Sequence, residues 1–138
     1  MYSYNSQEAE CGLKELYLEV TIGAAGAVGT VTRQQGFGAA YPANPRSLAS
    51  IVKNGTAGNY TLNLDQRWQA MIGFACNSIV ASIATTDGFS YIITARNLNV
   101  AQPNIVVQFL AYNSGSTNAD VTNGAILQFY LAMKDSTV

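Results

Sequence analysis

The chain opens its ordered part with a strict alternation. From Lys14 to Ile22 the apolar residues Leu16, Leu18, Val20 and Ile22 are separated by Glu15, Tyr17, Glu19 and Thr21. A strand turns successive side chains to opposite faces, so this spacing predicts a strand with one buried and one polar side. Gly23 to Gly26 reads as a turn and Val28 to Arg33 as a second, weaker strand. Ala49 to Lys53 and Asn59 to Leu64 flank Asn54-Gly55-Thr56-Ala57-Gly58, a hairpin in which the Asn-Gly pair tolerates positive φ. Asp65 to Ala70 predicts one helical turn capped by Asp65, with Trp68 as a core plug. Met71 to Thr85 predicts a long strand bent at Ser78, closed by Thr86-Asp87-Gly88. Phe89, Tyr91 and Ile93 alternate with Ser90, Ile92 and Thr94, and Ile105 to Tyr112 is nearly all apolar, the pattern of a central strand covered on both faces. In the last strand, Ala125 to Met133, Leu127, Phe129, Leu131 and Met133 share one face. Ile126, Gln128, Tyr130 and Ala132 share the other, a mixed face suited to a subunit interface.

Seven or eight strands with regularly spaced turns predict an all-β fold, a single-domain antiparallel β-sandwich or jelly roll. No long segment shows a helical period and no repeat of solenoid or propeller length is evident. Residues 1–12, polar and aromatic without period, read as an N-terminal arm that a partner would order, and 13–138 as the sandwich domain. Residues 34–48 carry Gly36, Gly38, Pro42 and Pro45 and read as a long loop anchored by Phe37 and Tyr41.

Composition sharpens this picture. Charged residues are 11% of the chain, against about 25% in an average soluble domain, and Asn, Gln, Ser and Thr take their place. Neutral amides and hydroxyls are buried against a neighbour at less desolvation cost than ions, and the net charge of −1 favours association over dispersal. Seven basic residues, scattered, give no basic footprint for nucleic acid. Glu8, Glu10, Glu15 and Glu19 precede a stretch in which Arg33, Arg46 and Lys53 stand without an acid, a polarity that complements a neighbour or faces solvent. With eight tyrosines in the chain, and tyrosine favoured at interfaces, the candidate partner or subunit contacts are Tyr2, Tyr4, Arg33, Phe37, Tyr41, Arg46, Gln128 and Tyr130. Exposed tyrosines also bind sugars, and a surface glycan stays open as a ligand.

Reactive chemistry is sparse. Without histidine, Ser–His–Asp and Cys–His arrangements have no base. The acids fall mostly in turns, near the chain ends or on a strand's polar face. Lys53 and Lys134 sit in no serine–lysine motif. Cys11 and Cys76 lack metal-ligand spacing and read as free thiols, Cys76 as a small core residue. Gly23 to Gly29 has neither dinucleotide nor P-loop spacing. Asn54-Gly55-Thr56 and Asn59-Tyr60-Thr61 match the glycosylation sequon but read as turn and strand. The first residues lack the basic and apolar regions of a secretory signal, and no apolar run reaches the ~20 residues of a membrane span. No enzyme activity, catalytic residue, cofactor, metal site, nucleic-acid or membrane partner is expected.

The order of these runs resembles a family. Leu16-Tyr17-Leu18-Glu19-Val20-Thr21-Ile22-Gly23-Ala24, Gly29-Thr30-Val31-Thr32-Arg33, Gly58-Asn59-Tyr60-Thr61-Leu62-Asn63-Leu64-Asp65 and Trp68-Gln69-Ala70-Met71-Ile72-Gly73 look like small virion surface proteins of tailed bacteriophages. The close from Gly124-Ala125-Ile126-Leu127 to Asp135-Ser136-Thr137-Val138 is similar to their final strand. The chain departs from them in the extended 34–48 loop. The resemblance implies a capsid decoration, or cement, protein: a homotrimeric sandwich made in the bacterial host cytoplasm. It would bind the major capsid protein on the outer capsid surface and bridge neighbouring capsomers, with residues 1–12 and the 34–48 loop touching neighbours. The alternative is a receptor- or glycan-binding knob of a phage head or tail fibre.

Overall fold

The computed structural model describes residues 13–36, 48–80, 89–111 and 117–135. They form nine strands among the described residues: β1 (Leu13–Ile22), β2 (Val28–Gly36), β3 (Leu48–Lys53), β4 (Asn59–Leu64), β5 (Trp68–Ile79), β6 (Phe89–Asn97), β7 (Asn104–Ala111), β8 (Thr117–Asn118) and β9 (Ile126–Asp135). Two antiparallel sheets pack as a sandwich. The first has the order β2-β1-β9-β5; the second has the order β3-β4-β7-β6, with β8 pairing the end of β7. The all-β sandwich expected from alternation is the observed architecture.

The core is built from the apolar half of each alternation. Leu16, Leu18, Val20 and Ile22 of β1 and Leu127, Phe129, Leu131 and Met133 of β9 are buried in one sheet. Tyr60, Leu62 and Leu64 of β4 and Ile105, Val107 and Phe109 of β7 meet them from the other. Strands β1 and β9 pair in unbroken register from Leu13↔Lys134 to Thr21↔Ile126, so the first and last described strands lie side by side at the centre of their sheet.

Several boundaries differ from the periodicity reading, each for a physical reason. Asp65 and Gln66 form a bend rather than a capped helical turn, and Trp68 already belongs to β5. The Trp68 N–H donates to Leu98 O at 3.0 Å, a partner a helical turn would not use. Trp68 is fully buried, as a core plug should be. The long strand runs from Trp68 to Ile79, and its irregularities fall at Trp68/Ala70 and Met71/Gly73 rather than at Ser78. Residues 34–36 and 48, read as loop, extend β2 and β3; the rest of that loop, the arm 1–12 and Cys11 lie outside the described residues. Strand β7 is central, but only its inner row is wholly apolar and buried: Val106 and Leu110 on the outer row are half-buried. Cys76 is a free, half-buried thiol packed against the core rather than inside it, and burial pushes its pKa up to about 12.

Between β3 and β4 the hairpin forms as expected, but Gly58, at φ 68°, supplies the left-handed residue, not Asn54 or Gly55. Its N–H donates to Asp120 Oδ1 at 2.8 Å. That carboxylate also pairs with Lys53 Nζ at 2.8 Å, while Lys53 donates to Ala25 O and the Tyr60 hydroxyl donates to Gly26 O at 2.6 Å. One clasp thus ties the β1–β2 turn, the β3–β4 turn and the β8–β9 link. Burial, and then the Asp120 charge, push the Tyr60 phenol up to about 12.

For Asp120, burial alone would raise the pKa, but the hydrogen bonds from Lys53 and the Gly58 N–H, with the Lys53 charge, hold it below its ordinary value. A carboxylate with a lowered native pKa stabilises the fold fully above its unfolded value near 4, and that contribution is lost as pH falls through the native value. Asp120→Asn keeps an acceptor for Gly58 and removes the charge. It is expected to be less stable than the parent by about 1 kcal/mol at pH 7, with the gap closing below about pH 4 in urea denaturation series.

Candidate interaction surface

The polar half of each alternation makes the two outer faces, and the two differ. On the β3-β4-β7-β6 sheet, amides pair along rows that cross the strands. Asn63 Nδ2 donates to Ser50 Oγ at 2.9 Å and Asn97 Nδ2 to Asn104 Oδ1 at 3.2 Å. Asn59 Nδ2 donates to Gln108 Oε1 at 2.9 Å, and Gln108 Nε2 to Ala57 O at 2.7 Å. Asn54 Nδ2 bonds Thr61 Oγ1 at 2.8 Å. Cross-strand pairs of this kind stabilise a sheet. Much of the amide richness that reads as association chemistry in the sequence is therefore used inside this sheet.

The outer face of the other sheet carries larger groups. Register sets Tyr17 beside Tyr130 and Glu19 beside Gln128, then Tyr130 beside Ala75 and Gln128 beside Asn77 on β5. Gln128 Nε2 donates to Glu19 Oε1 at 2.7 Å, the Tyr17 hydroxyl to the same oxygen at 3.2 Å, and the Tyr130 hydroxyl to Glu15 Oε1 at 2.7 Å. These bonds from two phenols and an amide help to hold both acidic side chains against the sheet. The result is one face of two phenols, an amide and two acids, half-buried except at the exposed Glu15.

Of the sequence-nominated residues, Gln128 and Tyr130 lie together here, and Arg33 stands across from Glu19 in the β1–β2 register. Tyr2, Tyr4, Phe37, Tyr41 and Arg46 fall outside the described residues. Glu15, Tyr17 and Glu19 were not nominated, although their alternation sets them on one face. What alternation lacks is the neighbour: only the β1–β9 pairing brings them to Gln128 and Tyr130.

A second feature is an open cleft of about 440 Å³ at the corner where β4 leads into β5, lined by Ser50, Asn63, Asp65, Gln66, Arg67 and Gln102 among others. It offers hydrogen-bonding groups but no aromatic ring. Among the described residues no cluster of three or more Cys, Asp or Glu side chains is placed to hold a metal ion, and no helix is long and apolar enough to cross a membrane.

Comparison with protein-family models, curated proteins and solved structures finds no match for this chain. The surface must be read from its own chemistry.

Proposed function

We propose that the protein is a structural virion protein of the capsid decoration type. It binds the major capsid protein on the outer capsid surface and stabilises the shell by bridging neighbouring capsomers as a homotrimer. The observation that carries this reading is the outer face around Tyr17, Tyr130 and Gln128: hydrogen-bonded in place and presenting two tyrosines, a residue type that favours contact with another protein surface. Binding only the assembled shell would stabilise it by mass action, and several weak contacts per oligomer would add through effective concentration.

The test is reconstitution on phage particles stripped of the protein. The full chain is expected to sediment with particles and to raise the temperature at which they release DNA. Deleting residues 1–12 is expected to lower occupancy at least tenfold while the far-UV circular dichroism spectrum stays unchanged. Undiminished occupancy without the arm removes the arm from the reading; absence of binding by the full chain overturns the reading itself.

The cleft beside Asn63 and Gln102 favours the second reading, a glycan-binding knob, because amides and a carboxylate suit sugar hydroxyls. Retention of the protein on a glycan array, lost in Asn63→Ala, would favour it over capsid decoration.

A further inference from the structure

The sequence holds two Asn-Gly pairs, Asn54-Gly55 and Asn123-Gly124. Such a pair can modify itself. The backbone nitrogen after the asparagine attacks the side-chain carbonyl carbon, and glycine permits this because no Cβ crowds that nitrogen. The fold must then meet two conditions: the N–H must be free, and the side chain must be able to turn towards it. The two pairs meet these conditions differently.

In the link before β9, the Gly124 N–H donates to Ile22 O at 2.7 Å, and the Ile22 N–H donates to Ala125 O at 2.8 Å. Ile22 and Ala125 are both buried. Freeing the Gly124 nitrogen therefore means parting backbone from backbone against the core. In the β3–β4 turn, the Gly55 N–H has no acceptor among the described residues. Gly55 is exposed, with open space around it and no positive φ. The restraint here is on the side chain: Asn54 Nδ2 donates to Asn59 Oδ1 and to Thr61 Oγ1 at 2.8 Å. Asn54 is half-buried at the mouth of a turn. Its side chain breaks these bonds by rotating, a smaller opening than one that separates two strands.

We infer that Asn54 is a modification site, where the folded chain deamidates in preference to Asn123. The Gly55 nitrogen attacks Asn54 Cγ. The N–Cγ bond forms, the Cγ–Nδ2 bond breaks, and the Gly55 amide proton leaves with Nδ2 as ammonia. Water then opens the five-membered imide. Opening at Cγ gives aspartate; opening at the main-chain carbonyl carbon gives isoaspartate, with the chain rerouted through the side chain. Either product carries a carboxylate and has lost Nδ2. That nitrogen heads a relay of amides: Asn59 Nδ2 donates to Gln108 Oε1 at 2.9 Å, and Gln108 Nε2 to Ala57 O at 2.7 Å. Conversion thus removes the first donor of the row that braces the hairpin against β7. It runs one way, so the converted fraction records the age of the protein. It does not depend on capsid binding.

The purified full chain is aged in mildly alkaline buffer, folded and in concentrated urea. Both Asn-Gly peptides are mapped by mass spectrometry and by isoaspartyl-specific methylation. In the folded chain Asn54 is expected to convert about tenfold faster than Asn123, or more. In urea the two rates are expected to converge. Gly55→Ala, which the open space around Gly55 admits, is expected to slow conversion at Asn54 about tenfold and to leave Asn123 unchanged. Equal or faster conversion at Asn123 in the folded chain overturns the inference. So does an Asn54 that stays intact for as long as the unfolded chain takes to convert. Unchanged conversion in Gly55→Ala removes the Gly55 nitrogen as the attacking group and overturns it as well. A preference of the same size that persists in urea shows that the fold does not select Asn54, with the same result.

Discussion

Gly58→Ala is expected to destabilise the protein by on the order of 3 kcal/mol, combining the left-handed backbone penalty with lost hydrogen bonds. A Cβ at this position would stand 2.1 Å from Ala119 O and 2.9 Å from Phe109 O. Both atoms are backbone, so relief requires moving β7 at Phe109 and the chain just after β8 at Ala119. That movement would strain Phe109 N–H to Gly58 O at 2.8 Å and Gly58 N–H to Asp120 at 2.8 Å, the point where the clasp is anchored. Two other glycines separate these contributions. Gly124 has φ 83° with open space around it, so alanine there should cost only about 1 kcal/mol, the conformational part. Gly55 has open space and no positive φ, so Gly55→Ala should change stability by less than about 0.5 kcal/mol. Equilibrium urea unfolding of the three variants checks the order. If Gly58→Ala falls level with Gly124→Ala, the close backbone approach is not what selects glycine.

The second large effect concerns Trp68. Trp68→Ala is expected to cost about 3–5 kcal/mol, the usual range for removing a large aromatic side chain from a core. Trp68→Phe should cost far less than its lost volume suggests. Among the described residues the indole Nε1–H is buried and has no acceptor, and an unmatched buried donor costs about 1–3 kcal/mol. Phenylalanine gives up packing but also removes that donor, so a net loss of about 1–2 kcal/mol is expected. Equal losses for the Phe and Ala variants would show that the indole nitrogen contributes to stability. The position also stiffens a corner: Leu64 N–H bonds Pro103 O at 2.9 Å and Trp68 N–H bonds Leu98 O at 3.0 Å. Trp68 therefore sits beneath the bend that shapes the polar cleft.

Much of the fold was legible in the pattern of side chains. Leu16 to Ile22, Tyr60 to Leu64 and Leu127 to Met133 alternate because each strand has one face on the core, and all three were read correctly for that reason. Trp68 was assigned to the core but to the wrong element. Asp65 before Gln66 and Arg67 looks like a helix cap, and only Leu98, far along the chain, supplies the backbone partner that makes Trp68 the start of a strand. Asn54-Gly55 marked the hairpin, yet Gly58 takes the left-handed position. Close approach of Ala119 and Phe109, which no local signal encodes, decides between the glycines. The same limit governs the contact face. Gln128 and Tyr130 stand out as polar residues in an apolar strand, while Glu15, Tyr17 and Glu19 show in the sequence only as the polar side of theirs. Their pairing with β9 is long-range and invisible to alternation.

The placement of β9 between β1 and β5 also bears on how this protein is made. Until the ribosome has released the segment around Ile126–Asp135, β1 and β5 have no central strand to join them, and half of the sandwich interior stays wet. Vectorial synthesis therefore cannot stabilise this sheet piece by piece. The nascent chain must carry β1 and β5 without their shared partner until β9 has emerged, and then close them in a long-range step. A chain stalled before that segment is cargo for chaperones and proteases rather than a partly built brick.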